Sequence, residues 1–405
     1  MNNKGKEAES LKDKSYAEFV NRPYRTIDLC AGIGGIRKGF ELTGDFLNVF
    51  AVENDKYACQ TYEFLFGDNP YGDLTSEATK TKIRNIQYEI LMAGFPCQTF
   101  SRMGLEEGFK DKEKGQIFFH LVSIIKDTRP LAIFLENVDN LTTHNKGKTF
   151  KYILETLVST LDYHVIGVSQ NSDGSLEYDP KSFIRNSKDF GIPQNRPRAY
   201  IIGFDKKRFT SKRIELLPSL MPFKRNTPIY RNLNDILDDD VDLSYYLASN
   251  YLNNLVKHKE KQKMKGYGFG YRIVNEPRIR NPIANTILAT GGSGKERNLI
   301  YDPKPNIAGQ KIKGKKSPLN SKGIRIMTPN EWGKLQGFVN YAFLENNKID
   351  KFSFPESISN TQKYKQLGNA VTIPVIEEMA KFISHCLCML QQNNPSKEKK
   401  EKPEK

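Results

Sequence analysis

A thiol and a carboxyl group stand at the ends of two apolar runs. Ile90-Leu91-Met92-Ala93 leads into Gly94-Phe95-Pro96-Cys97-Gln98, and Leu131-Ala132-Ile133-Phe134-Leu135 leads into Glu136-Asn137-Val138. Such runs read as buried strands of a parallel sheet, whose C-terminal ends share the edge where open α/β folds carry out chemistry. Cys97 and Glu136, a thiol and a carboxyl group brought to that edge, suggest covalent catalysis. Pro96 stiffens the turn before the thiol and favours an extended Phe95.

Other groups occupy comparable positions. Asp28-Leu29-Cys30-Ala31-Gly32-Ile33-Gly34-Gly35 follows a strand and opens a helix, so backbone and a helix N-terminus can approach a ligand closely. It is not the dinucleotide fingerprint, because the third glycine would fall at Arg37. Glu53 ends the second strand, where an acid can bind ribose hydroxyls, and Asp73 sits at the next strand edge. Each would serve equally as a turn or cap residue. In Gln194-Asn195-Arg196-Pro197-Arg198, strand alternation places Arg196 and Arg198 on one side, two forked donors able to orient a carboxylate or contact phosphate or a base. Asn369 lies in Lys365-Gln366-Leu367-Gly368-Asn369-Ala370-Val371, beside a glycine that suits a turn. Cys30 and Cys59 read as small core residues. His385, Cys386 and Cys388 lack a fourth ligand at a fitting spacing, so no metal site is expected.

The elements that must position these groups follow a strand–helix rhythm. Strands are expected at 25–29, 47–52, 90–93, 131–135, 163–169 and 198–204, and helices at 35–43, 56–66, 116–126 and 149–161. That alternation implies a doubly wound, mostly parallel α/β sheet. Residues 172–186 read as a polar surface insertion. A flexible arm (1–23) precedes the first part of the large domain (24–205); a second, smaller domain (206–327) interrupts it. The α/β texture returns over 328–391, from Thr328-Pro329-Asn330-Glu331, a helix start with proline at its first position, to an amphipathic helix from about Ile373 to Leu390. The Lys/Glu-rich tail 392–405 reads as disordered.

Charge separates the parts. The 405 residues carry a net charge of +15. Residues 206–330 hold 25 basic and 10 acidic residues, so the whole excess lies there. A basic excess confined to one segment is the footprint of a surface that meets a polyanion, though a solvated lysine-rich face would look the same. Glycine, proline and asparagine interrupt the lysines, which argues against a membrane-surface helix. No apolar stretch has membrane-spanning length and no signal peptide is evident, so a cytoplasmic protein without disulfides is expected.

Assembled in this order, the motifs from Tyr24 to His385 resemble the DNA (cytosine-5) methyltransferase family, in particular bacterial type II restriction-modification enzymes. The resemblance implies the Rossmann-like S-adenosylmethionine-dependent methyltransferase fold with an inserted target-recognition domain. It implies S-adenosyl-L-methionine on the loop containing Asp28, Ala31, Gly32, Ile33, Gly34 and Gly35. Glu53 would hold the ribose, Asp73 the adenine amine, Ile117 the adenine face, and Asn369 the methionine end. Cys97 would be the nucleophile, Glu136 its acid partner, Arg198 the residue orienting the base, and Arg196 a support of the same wall. Residues 98–114 would form a mobile lid, with Gln98 and Ser101 facing DNA. Cys30, Asn54 and His120 stand where the family usually carries phenylalanine, an aromatic residue and aspartate.

The block Lys265-Gly266-Tyr267-Gly268-Phe269-Gly270-Tyr271, with Tyr245-Tyr246-Leu247 before it and Gly291–Leu299 after it, resembles recognition blocks of enzymes that methylate CCGG or CCWGG. CCGG is the expected target and CCNGG-type sites the alternative, with Arg272 and Arg297 as guanine readers. Double-stranded DNA is the implied partner, with a cognate restriction endonuclease acting on the same site and no direct contact implied. A monomer is expected. An RNA (tRNA) cytosine-5 methyltransferase of the same fold, or a DNA-binding regulator without activity, are the competing readings.

Overall fold

The computed structural model describes residues 22–96, 117–268, 270–290, 294–346 and 348–391. Cys97, Gln98 and Ser101, the lid at 98–114, the arm up to residue 21 and the tail therefore lie outside the described residues. Strand β1 (Tyr24–Leu29) is followed by helix α1 (Gly35–Glu41), β2 (Phe46–Val52), α2 (Lys56–Phe66), α3 (Glu77–Arg84) and β3 (Ile90–Gly94). Next come α4 (Ile117–Thr128), β4 (Ala132–Val138), α5 (Lys148–Glu155), β5 (Tyr163–Val165), β6 (Ile184–Asn186) and β7 (Pro197–Asp205). The helix expected at 149–161 is α5 followed by a π-helical turn, Thr156–Thr160.

These strands form one seven-stranded sheet in the order β2-β1-β3-β4-β7-β5, with β6 also paired to β7. Residues 132–135 of β4 and 90–93 of β3 are fully buried, which is why both read as unbroken apolar runs. Pairing of β1 with β2 and β3, and of β3 with β4, is parallel. The sheet is mixed on its other side, because β7 runs antiparallel to β4, β5 and β6. This reversal matters. A parallel β7 would start at the edge opposite Glu136, whereas the antiparallel strand starts at the same edge and puts Arg198 opposite Val138. Residues 184–186, expected in a surface insertion, are a strand of this sheet instead. Their pairing partner Pro197–Ala199 lies across the intervening turn, beyond the reach of local composition.

Helix α1 packs on the last long helix, and Gly39 allows it, since a Cβ there would lie 2.6 Å from Ile376. Beyond β7, Phe209, Ile214, Leu217 and Met221 still belong to the sheet's own core. Helix α6 (Ser249–Met264) and small apolar clusters around Tyr246 and Leu299 follow. The chain returns through α7 (Pro329–Gln336), α8 (Asn360–Asn369) and α9 (Ile373–Gln391). Thr328 and Glu331 cap α7 reciprocally, with Pro329 at its first position. Leu233, Ile236 and Ile287 share a core with Trp332, Leu335 and Leu367, so the interrupting segment is packed onto the returning helices. Among the described residues no helix is long and apolar enough to cross a membrane.

Candidate active site

A cleft of about 360 Å³ runs along the C-terminal edge of β1 to β4. One end is built by the turn after β1. Cys30, Gly32 and Gly34 take positive φ values of 59°, 56° and 78°, which swing the chain from strand into α1. Gly32 and Ile33 line the cleft, and beside Gly32 the space is open. Gly34 and Gly35 serve packing behind it, where an added Cβ would lie 2.2 Å from Phe66 and 2.8 Å from Val371. Ala31 is likewise buried. Cys30, expected as a core residue, packs partly against the core and also lines the cleft, where the left-handed turn carries it, and Cys59 is buried as expected.

Glu53 braces this turn. Its Oε2 accepts from the Gly32 N–H at 2.7 Å, and its Oε1 from Asn54 and Asp55 N–H at 2.9 and 2.8 Å. A carboxylate has about four acceptor positions, so Glu53 arrives at the cleft oriented and with capacity left. Asp73 also faces the cleft, and hydrogen bonds from the Thr75 backbone and hydroxyl hold its carboxyl below the usual range. Val52, Leu74 and Ile117 supply apolar wall between them, and Asn369 closes the far side from the end of α8. Two oriented carboxylates flanking an apolar strip, with an open glycine turn, fit a nucleoside such as the adenosyl part of a cofactor. Asp28 does not line this cleft: it is fully buried under the turn. Its Oδ2 accepts from the Arg37 N–H at 3.2 Å, while its Oδ1 has no hydrogen-bond partner. Burial pushes its carboxyl up to about 7.

The other end of the same cleft holds Glu136, Arg198, Phe95 and Pro96. Parallel pairing sets Gly94 beside Glu136, so the chain leading to Cys97 leaves the sheet next to this carboxyl. Pro96, one peptide bond before Cys97, is the last described residue on that side. Glu136 is only 9% exposed. Burial raises its pKa, against the pull of Arg198 and then Arg196. Arg198 Nε lies 3.3 Å from Glu136 Oε1. Asn137, to which sequence reasoning gave no separate role, donates from Nδ2 to the Phe95 carbonyl at 2.8 Å and accepts the Val138 N–H at 2.8 Å. It ties the two strand ends together, and its place directly after Glu136 was the signal available.

Arg196 takes a different place from Arg198. It precedes β7, is 2% exposed and turns away from the cleft into the protein. Arg272 and Arg297 are brought together in a second cleft of about 680 Å³, with Lys259 and Arg278. Its lining reaches Asp139 and Pro197, chain neighbours of Val138 and Arg198, so the basic cleft adjoins the Glu136 end of the first.

The chain matches the family model for C-5 cytosine-specific DNA methylase over residues 24–385. It is similar to the type II methyltransferase M.HpaII of Haemophilus parainfluenzae, with 40% identity over 374 residues and 90% of each chain covered. It is also similar to the type II methyltransferase M1.ScrFI of Lactococcus lactis subsp. cremoris, 36% identical over 91% of this chain and 81% of the relative. Among solved structures, the Entamoeba histolytica methyltransferase EhMeth superposes with a TM-score of 0.58 over 91% of this chain and 99% of its own. At 19% identity, that likeness concerns the fold.

Proposed function

The chain belongs to the C-5 cytosine-specific DNA methylases, enzymes that use S-adenosylmethionine, and we propose that it methylates a cytosine turned out of duplex DNA through a covalent bond to Cys97. The observation that carries this reading is one continuous cleft. It holds Gly32, Glu53 and Asp73 at one end and Glu136, Arg198 and Pro96 at the other.

Carbon-5 of cytosine is a poor nucleophile. The Cys97 thiolate adds to carbon-6, its electron pair forming the new C–S bond, and the ring becomes an enamine nucleophilic at carbon-5. Glu136, whose proton burial favours, donates to the ring nitrogen beside the exocyclic amine and offsets the charge that builds as sulfur adds. Arg198, against Glu136, orients the base. Gly32, Ile33, Glu53, Asp73, Ile117 and Asn369 would hold S-adenosylmethionine, which when bound would supply an electrophilic methyl group on a sulfonium sulfur. Loss of the carbon-5 proton then returns an electron pair to the ring and expels Cys97. A base inside the stack cannot reach Glu136, so the cytosine is flipped at a cost of roughly a few kcal/mol.

Residues 206–327 serve as the recognition segment, with Arg272 and Arg297 reading guanine edges of a CCGG target. CCNGG-type sites are the second choice, and the enzyme acts as the modification half of a restriction-modification system. Bisulfite sequencing of DNA from cells expressing the chain identifies the site. Incorporation of labelled methyl groups into tRNA and not into duplex DNA refutes the DNA reading. A Cys97→Ser variant as active as the parent refutes the covalent mechanism.

A further inference from the structure

We infer that Arg196 is a positioning residue for the methyl donor and does not meet the cytosine: it fastens the recognition segment to the strip of chain that carries Asn369 into the cleft. The inference rests on the proposed assignment of that cleft. The guanidinium of Arg196 donates from Nη1 to the Ile287 carbonyl at 2.9 Å. From Nη2 it donates to the carbonyls of Gly368 and Ala370, at 2.9 and 2.8 Å. Asn369 lies between those two carbonyls. Nη2 therefore brackets the residue that faces the ligand while Nη1 holds Ile287, a two-nitrogen span a lysine cannot reproduce.

The surroundings repeat the pattern. Gln194 accepts the Ile287 N–H at 3.1 Å and donates to the Leu335 carbonyl at 2.9 Å. Gln336 donates to the carbonyls of Leu367 and Ala370 at 2.8 and 2.9 Å. Gln194, Arg196 and Gln336 are all buried, and their bonds to the Leu335, Ile287, Gly368 and Leu367 carbonyls are buried too, so those carbonyls have little solvent to turn to if a donor is lost. Gly368 lets the two segments touch backbone to backbone: a Cβ there would lie 2.5 Å from the Leu288 carbonyl and from Ala289 N. On the recognition side, Asn285 Nδ2 donates to the Arg297 carbonyl at 2.8 Å, two residues before Ile287. Lys295 sits 3.8 Å over the Tyr364 ring on α8. The segment bearing Arg297 and the strip bearing Asn369 are thus joined by direct contacts through Arg196 and α8.

The test uses the full chain and S-adenosylhomocysteine, a ligand that cannot react, in titration calorimetry. Arg196→Met, which removes all three bonds, weakens its binding at least about tenfold, and Gly368→Ala, which forces the two backbones apart, weakens it in the same direction. Arg198→Met keeps the parental affinity while its kcat falls. Arg196→Lys recovers only part of the binding. If Arg196→Met does not fold, Arg196→Lys and Gly368→Ala carry the test together. Parental affinity in Gly368→Ala, or an Arg196→Met variant that loses kcat with unchanged ligand affinity, overturns the inference. A parent protein that methylates no duplex would refute the proposed DNA activity and leave these titrations standing.

Discussion

Replacing Asp28 by asparagine should stabilise the protein at alkaline pH and do little near pH 4. The carboxyl is fully buried beneath the glycine turn, with one oxygen bonded to the Arg37 N–H and the other unpartnered. Burial raises it from 3.8 to about 7. A raised carboxyl means that the native state holds its proton where the unfolded chain has released it. Stability therefore falls as pH rises, from the unfolded value up to the folded one, by about 1.4 kcal/mol per pH unit. Across the window from 3.8 to about 7 the loss is on the order of 4 kcal/mol, complete above pH 7. The Asp28→Asn side chain keeps an acceptor for Arg37 and has no charge to bury. Its NH₂ group replaces a protonated carboxyl that was unpartnered as well, so the two proteins should match in acid. Urea unfolding at about pH 5 and about pH 8 should show the advantage of Asp28→Asn growing by about 3 kcal/mol. A difference independent of pH, or a parent protein that gains on the variant at pH 8, would show that Asp28 is ionised in the native state and refute the argument.

Three further outcomes are expected at the clefts. Asn137→Ala leaves the Phe95 carbonyl unpaired, costing about 1–3 kcal/mol, and lowers kcat with little change in KM for the cofactor, as steady-state kinetics will show. The rate of the parent enzyme falls on the alkaline side as Glu136 loses its proton above its raised pKa, and that fall is absent from the pH profile of Glu136→Gln. Arg297→Ala costs about 1–3 kcal/mol and relaxes discrimination at one base pair, measured on duplexes altered one position at a time. Equal weakening on every duplex would assign Arg297 to phosphate.

Local pattern carried much of this architecture. The helix Lys56–Phe66 was expected at the same bounds, because Asp55 caps it and Gly67 ends it within a few residues of its own periodicity. The strand ends bearing Gly94 and Glu136 were legible for the same reason, each following a short buried run. Strand direction was not. Nothing within Pro197–Asp205 says that it runs against Ala132–Val138; that follows from how the chain between them turns back. Arg196 shows the same limit more sharply. Its place beside Arg198 suggested a shared wall, but its partners Ile287, Gly368 and Ala370 lie far along the chain, and they draw it away from the cleft. Cys30 packs partly against the core, as its residue type suggested, and its additional reach into the cleft depends on a left-handed turn.

The mixed cores bear on how such an enzyme could be given a new target. The chain leaves β7 at the edge opposite the cleft, and the next stretch keeps Phe209, Ile214, Leu217 and Met221 in the main core. Farther on, Leu233, Ile236 and Ile287 interlock with Trp332 and Leu367. The proposed recognition segment is therefore not a cassette with clean seams. A graft cut at residue 206 would tear side chains from the host's interior, and one that changed residue 287 would disturb the seat of Asn369. Retargeting is better sought on the exposed rim around Arg272 and Arg297, leaving the buried footing of the donor segment to the host.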